Sequence, residues 1–119
     1  MHYPTDTDTF ALMQKILDSL AIEKPADGAC LQSAPRVTDA LILQGIPAQT
    51  VTIAGWLDSA DTILAFLHIA TRCQGLVLDA TARQFDQVLP AAWMTTEHNY
   101  LQALAIAAGV DHASIWETS

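Results

Sequence analysis

Three residues with the chemistry of a thiol enzyme occur in the order cysteine, histidine, aspartate. They are Cys30, His68 and Asp79. A thiol becomes a strong nucleophile when a base takes its proton, and an imidazole serves as that base when a carboxylate orients it and stabilises its charged form. These residue types are common, so the prediction of a catalytic triad depends on the local sequence around each of them.

The sequence around Cys30 predicts a loop that leads into a helix. Gly28-Ala29 precedes the cysteine, and an apolar-periodic run follows it as far as Gly45-Ile46-Pro47. At a helix N-terminus, unpaired N–H groups and the positive end of the helix dipole lower the pKa of a thiol. Pro35 leaves two possibilities open: the helix begins near Ser33, with Cys30 just ahead of it, or it begins earlier and is kinked.

His68 and Asp79 fall on two runs that are typical of a β-hairpin, Thr62 to Arg72 and Leu76 to Ala80. With a two-residue turn at Gln74-Gly75, the two side chains are diagonal neighbours on one face of the hairpin. A turn shifted back by one residue places them directly opposite each other. An unbulged three-residue loop places them on opposite faces. The first two registers allow a contact between imidazole and carboxylate, and the third excludes it.

Composition narrows the class of protein. The chain has 119 residues, 51% of them hydrophobic, and a formal net charge of −8 with only five Lys or Arg. These values indicate one globular domain with a modest core, and they argue against nucleic-acid binding through phosphate contacts. No Sec-type signal and no apolar run of about 18 residues is present. We therefore predict no membrane contact, and a location that is cytoplasmic or reached by secretion without a signal peptide.

Hydrophobic periodicity over the rest of the chain predicts an α+β fold, with helices packed against an antiparallel sheet of about four strands. Residues 1–119 are predicted to form a single domain, divided into an N-terminal helical part (1–26), a catalytic core (27–86) and a C-terminal helix and strand (87–119). The predicted elements outside the hairpin are a helix 8–22, a strand 49–54, a turn 55–60, an irregular segment 83–93, a helix capped by Thr95 or Thr96 and ending at Gly109, and a strand 110–116.

The order of these motifs resembles the papain-like and transglutaminase-like superfamily of cysteine enzymes. Gly-x-Cys opens a helix that closes with Gly-Ile-Pro-Ala, a strand follows, a histidine lies on the next strand, and Leu-Asp-Ala-Thr lies on the one after. The segment Leu78 to Asp86 is similar to the small papain-fold domains of bacterial polymorphic toxins and effectors. The resemblance covers residues 27–86. It implies a nucleophile helix packed on the sheet, with Cys30 as nucleophile, His68 as general base and then acid, and Asp79 as orienting group.

Three features depart from that pattern. Pro35 strains the nucleophile helix. Ile69 occupies the position beside the histidine where the superfamily often has an aromatic residue. A papain-type oxyanion glutamine upstream of the cysteine is not evident, because Gln14 lies inside the first predicted helix. The backbone N–H of Cys30 is therefore the expected oxyanion donor.

Two further residues are candidates for substrate binding. Gln84 could line the substrate site, although a turn residue with local hydrogen bonds is the simpler interpretation. Trp56 could flank a substrate groove, although packing is the commoner role of tryptophan. Cys73 is predicted to be inert. No metal or other cofactor is predicted, because the remaining histidines are too scattered for a zinc site; they are His2, His98 and His112.

The resemblance implies a cysteine-dependent amide hydrolase or acyltransferase that acts through a thioester on Cys30. Within that class we expect a protein glutamine deamidase or peptidase, a bacterial effector or toxin whose partners are a protein substrate and a cognate immunity or inhibitor protein. Two alternatives remain open. One is an acidic protein-binding module, an immunity protein or a degenerate relative, in which Cys30 is buried and inert or His68 points away. The other is a peptidoglycan amidase.

Overall fold

The computed structural model describes residues 6–116, which form three α-helices and a five-stranded antiparallel sheet. The strands lie side by side in the order β4-β3-β2-β1-β5. The predicted α+β class is confirmed. The elements are α1 (Asp6–Leu20), α2 (Cys30–Leu43), β1 (Gln49–Trp56), β2 (Leu64–Cys73), β3 (Leu76–Asp79), a short 3₁₀-helix (Ala82–Gln84), β4 (Trp93–Thr96), α3 (Glu97–Ala108) and β5 (His112–Trp116).

Two details of the sheet differ from the sequence prediction. Strand β4 was not predicted, because its four residues are too few to show an alternating pattern; it pairs with β3 and brings the described strands to five rather than about four. Trp56, predicted to lie in a turn, is the last residue of β1. Strand β1 extends to that residue because the pairing with β2 shifts by a bulge between Gly55 and Trp56.

The helices cover both faces of the sheet. Helices α1 and α2 pack on one face, where Met13 and Leu17, one helical turn apart, are fully buried. Helix α3 packs on the other face. The α1/α2 core consists of Met13, Leu17, Val37, Leu41, Ile46, Cys73, Leu78 and Ala80, and the α3 core consists of Val51, Ile53, Ala70, Val77, Ala82, Leu89, Trp93, Tyr100, Leu104, Ala105 and Ala113.

The turn between β2 and β3 fixes the register of the hairpin. Gln74 and Gly75 both have positive φ angles, 54° and 78°, as a two-residue type I′ turn requires. Cys73 pairs with Leu76, so the first of the three registers is confirmed. Because alternate residues face opposite sides of a strand, this register places both His68 and Asp79 on the face that α3 covers.

No helix within residues 6–116 is long and apolar enough to cross a membrane.

Candidate active site

Helix α2 begins at Cys30 itself. The interpretation in which the helix starts near Ser33 is therefore wrong, and Pro35 lies inside the helix. The turn before the cysteine depends on Gly28, whose φ of 80° is left-handed. The amides of Ala29 and Leu31 donate to the carbonyls of Ala26 and Gly28. Within residues 6–116, no backbone carbonyl accepts from the N–H of Cys30, which leaves this amide available beside its own sulfur.

The imidazole of His68 is fully buried and contacts the carboxylate of Asp79. Its Nε2 lies 2.8 Å from Asp79 Oδ2, and the side chains are 0% and 1% exposed. The two residues are the diagonal neighbours that the turn geometry produces. With Nε2 committed to the carboxylate, Nδ1 is the nitrogen left for a second partner.

Asp79 has three further donors in addition to His68. The hydroxyl of Tyr100, on α3, donates to Oδ2 over 2.6 Å. The backbone N–H of Thr81 donates to Oδ1 over 2.9 Å, and the Thr81 hydroxyl lies 3.4 Å from the same oxygen. A buried carboxylate with this many donors keeps its charge.

Cys30 and His68 form an electrostatic pair. Nδ1 of His68 is buried and has no hydrogen-bond partner within residues 6–116. Cys30 is nevertheless close enough for the thiol and the imidazole to shift each other's pKa. In a catalytic dyad without substrate, the contact between nucleophile and base is often longer than a hydrogen bond and tightens when the substrate binds.

The pKa values of the three groups shift toward their charged forms. Burial disfavours imidazolium, but the charge and hydrogen bond of Asp79 and the nearby Cys30 thiol raise the pKa of His68 to about 9. Burial alone would raise the pKa of Cys30, but His68 and the backbone amide of Ile69 lower it. Burial also opposes ionisation of Asp79, yet His68, Tyr100 and the Thr81 amide keep its pKa below the usual value.

Two phenylalanines enclose the imidazole on the side of α3. The ring of Phe85 meets His68 edge to face, with centroids 4.9 Å apart, and packs against Phe66 at 4.8 Å. Phe66 lies directly over Gly55, where a Cβ atom would approach the phenyl carbons to 2.0 Å. A side chain at position 55 would therefore displace the ring of Phe66.

A cavity of about 290 Å³ opens beside the thiol. Gln84 lines it together with Cys30, and the Oε1 atom of Gln84 is buried without a hydrogen-bond partner. Within residues 6–116, no Lys, Arg, Asp or Glu lines this cavity. The lining residues are Gly28, Cys30, Leu31, Thr52, Leu67, Ile69 and Gln84.

The structure brings four of the five predicted site residues together and leaves the fifth apart. Trp56 does not line the cavity of Cys30. Its indole N–H donates to Ser114 over 3.0 Å, and its ring packs against Trp116. Within residues 6–116, no group of three or more His, Cys, Asp or Glu side chains is arranged to hold a metal ion. The Cys73 thiol is buried in the α1/α2 core, and burial raises its pKa.

Sequence reasoning missed Tyr100, Thr81 and Phe85. Thr81 could have been found, because a hydroxyl residue two positions after an aspartate often closes a local turn. Phe85 follows Gln84 in a segment without periodicity. Tyr100 lies 21 residues from Asp79, and only the packing of α3 on the sheet brings the two side chains together.

Comparisons with known proteins identify a similar fold. No protein-family model matches the sequence, and no curated protein matches it. The fold is similar to a crystal structure of Pasteurella multocida toxin, reported for a thiol-protease-like catalytic triad in the C-terminal region, with a TM-score of 0.62 and 18% identity. The match covers 100% of this chain and 21% of that chain, so this chain spans about a fifth of the length of the toxin chain. The TM-score shows that the two proteins share a fold, and at this identity the similarity shows the fold alone.

Proposed function

We propose that this protein is a cysteine-dependent enzyme that attacks amides, with Cys30 as nucleophile, His68 as acid and base, and Asp79 as the orienting group. The observation that carries the proposal is the buried His68–Asp79 pair, which leaves Nδ1 of His68 as the nitrogen available to the thiol at the start of α2. The similarity to a toxin region reported for a thiol-protease-like triad supports the same class.

The reaction proceeds through a thioester. The Cys30 thiolate forms a bond to the amide carbon, and the carbonyl oxygen takes the negative charge beside the free N–H of Cys30. As the C–N bond breaks, the imidazolium of His68 gives its proton to the departing nitrogen. Water then attacks the thioester while His68 takes a proton from it, and breakage of the C–S bond releases the acid and restores the thiolate. An amine in place of water makes the second step a transfer.

The cavity favours an uncharged amide that belongs to a protein. No charged side chain of the described part of the chain lines it, and its rim includes Leu31 and Leu67, which are 64% and 51% exposed. The buried, unpartnered Oε1 of Gln84 needs a donor, and the N–H of a carboxamide or a peptide provides one. We therefore propose a protein glutamine deamidase or a peptidase, acting as a bacterial toxin or effector, with a protein substrate and a cognate inhibitor protein as partners.

The binding-module alternative makes a different prediction about the thiol. Cys30 is 5% exposed, which meets one condition of that alternative. Burial of an inert thiol raises its pKa, as it does at Cys73, whereas the surroundings of Cys30 lower it. His68 also faces Asp79 rather than away from the site. Both observations favour the enzyme.

The decisive experiment is the pH dependence of iodoacetamide alkylation at Cys30, with Cys73 as internal control. Wild type is compared with His68→Gln, which can donate to Asp79 but carries no positive charge. We expect Cys30 to react well below the pH of a free thiol in wild type, and the profile to move upward in the variant. Reaction of Cys30 no faster than Cys73 would exclude the enzyme and favour the binding module.

Incubation with glutamine-containing peptides then separates the reaction types. Deamidation releases ammonia and adds about 1 Da, peptidase activity gives two fragments, and transfer to an added amine gives a new amide; all three should disappear in Cys30→Ser. Activity confined to cell-wall fragments would instead identify a peptidoglycan amidase.

A further inference from the structure

A line of hydroxyl groups connects helix α2 to strands β1 and β2. Thr71 Oγ1, on β2, lies 3.1 Å from the carbonyl oxygen of Ala34 in α2. Thr38 Oγ1 lies 2.9 Å from Thr71 Oγ1 and 2.8 Å from Thr50 Oγ1, on β1. Thr71 and Thr38 are 0% and 7% exposed. We call Thr50, Thr38, Thr71 and the carbonyl of Ala34 the threonine relay.

The direction of every bond in the threonine relay follows from counting protons. A hydroxyl has one proton to donate, and a carbonyl only accepts. Thr71 donates to Ala34, so it must accept from Thr38. The proton of Thr38 is then committed to Thr71, so Thr38 must accept from Thr50. A single arrangement satisfies all three bonds, and it ends on the backbone of α2.

The threonine relay joins the two elements that carry the proposed nucleophile and base. Ala34 lies one helical turn after Cys30, about 6 Å along the helix axis. Thr71 lies three residues after His68, about 10 Å along the strand. Pro35 has no N–H for the carbonyl of Leu31, so the first turn of α2 is held less firmly by its own hydrogen bonds.

Among the side chains that α2 and β2 bury in this layer, Ser33, Thr38 and Thr71 are polar, and the last two belong to the threonine relay. The α1/α2 core consists of aliphatic side chains, methionine and Cys73, and valine would fill the space of a buried threonine at little loss if only burial mattered. Aliphatic contacts let a helix shift along a sheet, because dispersion has no preferred direction. A directed hydrogen bond from β2 to the backbone of α2 opposes such a shift.

We propose that the threonine relay positions the nucleophile: it holds α2 against β2 so that the Cys30 thiol faces Nδ1 of His68. Thr71 is the positioning residue that acts directly, and Thr38 and Thr50 orient its hydroxyl. This inference rests on the proposed function.

The test compares two identical chemical changes at the two ends of the threonine relay. Thr71→Val removes the bond to α2, whereas Thr50→Val removes a hydroxyl but keeps that bond. We expect the midpoint of iodoacetamide alkylation at Cys30 to rise by about one pH unit in Thr71→Val, which makes the reaction about tenfold slower at neutral pH. Thr50→Val should stay within about twofold of wild type, and Thr71→Ser, which restores the hydroxyl, should recover most of the rate.

A second control distinguishes a positioning role of Thr71 from an effect of lower global stability on the alkylation of Cys30. Leu17→Val removes a methylene from the same core without touching the threonine relay, and it should lower the melting temperature without moving the alkylation midpoint. If Thr71→Val does not fold in buffer, the titration is repeated for all variants in concentrated sucrose, which favours the compact state.

The outcomes distinguish this inference from the proposed function. A wild-type midpoint equal to that of a free thiol overturns the proposed function and this inference together. A lowered wild-type midpoint that Thr71→Val leaves unchanged overturns only the positioning role. Equal shifts in Thr71→Val and Leu17→Val, or failure of Thr71→Ser to restore the rate, would also overturn it.

Discussion

Tyr100→Phe measures how much one hydrogen bond to the ionised carboxylate of Asp79 contributes to the stability of the protein. The substitution removes only the hydroxyl that donates to Asp79 Oδ2 over 2.6 Å, and it keeps the ring that packs on Trp93 at 4.7 Å. Hydrogen bonds to charged groups contribute about 1.5–3 kcal/mol, so we expect the free energy of unfolding to fall by about 2 kcal/mol at neutral pH. In a domain of this size the melting temperature should fall by about 8 °C.

The pH dependence of that loss identifies its cause. The Tyr100 hydroxyl helps to lower the pKa of Asp79. A carboxyl whose pKa is lowered on folding contributes stability that is present above its unfolded pKa, near 3.8, and is lost as the pH falls through its folded pKa. The difference between wild type and Tyr100→Phe should therefore be constant at neutral pH and shrink only as the pH falls through the lowered folded pKa of Asp79.

Urea unfolding followed by tryptophan fluorescence, at pH values from 7 to 3, measures this difference. Thr38→Val is the matched control, because it removes a buried hydroxyl whose partners are uncharged, and its destabilisation should not depend on pH. No Tyr100→Phe loss at pH 7, or a loss that grows as the pH falls, would refute the assignment of this hydroxyl to the charge of Asp79.

Three further predictions concern the surroundings of the thiol. Gly55→Ala should lower the melting temperature by about 4–12 °C, because its Cβ would overlap the ring of Phe66 and such overpacking costs about 1–3 kcal/mol; an unchanged melting temperature would contradict this overlap. In Cys30→Ala, the stability contributed by charged His68 is present below pH 6.5 and lost as the pH rises through a folded pKa below the wild-type value of about 9, because Cys30 no longer raises it; the loss is at most about 3 kcal/mol. In wild type the lowered pKa of Cys30 acts in the opposite sense, so urea unfolding should show a flatter profile. Gln84→Glu places a negative charge beside the thiolate and should slow alkylation at neutral pH by about tenfold, whereas Gln84→Met should not.

The register of the β2–β3 hairpin could be predicted from the local sequence. Gln74-Gly75 is a recognisable two-residue turn, and once that turn is fixed, the alternation of side chains brings His68 and Asp79 to one face. The start of α2 was harder to predict, because Pro35 suggested a later helix start than the observed one at Cys30. Helix α1 was predicted within about two residues at each end, since its apolar positions repeat with the helical period.

The parts that sequence could not supply depend on contacts between distant elements. Strand β4 exists because β3 offers it an edge to pair with. Tyr100 reaches Asp79 only after α3 has packed across the sheet. Trp56 is a different case: a large aromatic residue suggested a substrate groove, and the structure places it against Trp116 at one end of β1. Its role in substrate binding remains a prediction without support from the cavity.

The two-sided sheet has a consequence for when the molecule can be active. The proposed nucleophile is on α2, His68 and Asp79 are on the sheet strands β2 and β3, and Tyr100 is on α3. A partly folded chain in which α2 has not packed on the sheet therefore lacks the proposed Cys30–His68 pair, and one in which α3 is detached lacks the hydrogen bond from Tyr100 to Asp79. The proposed reaction therefore requires α2 to be packed on the sheet, so its rate would report that this layer has folded.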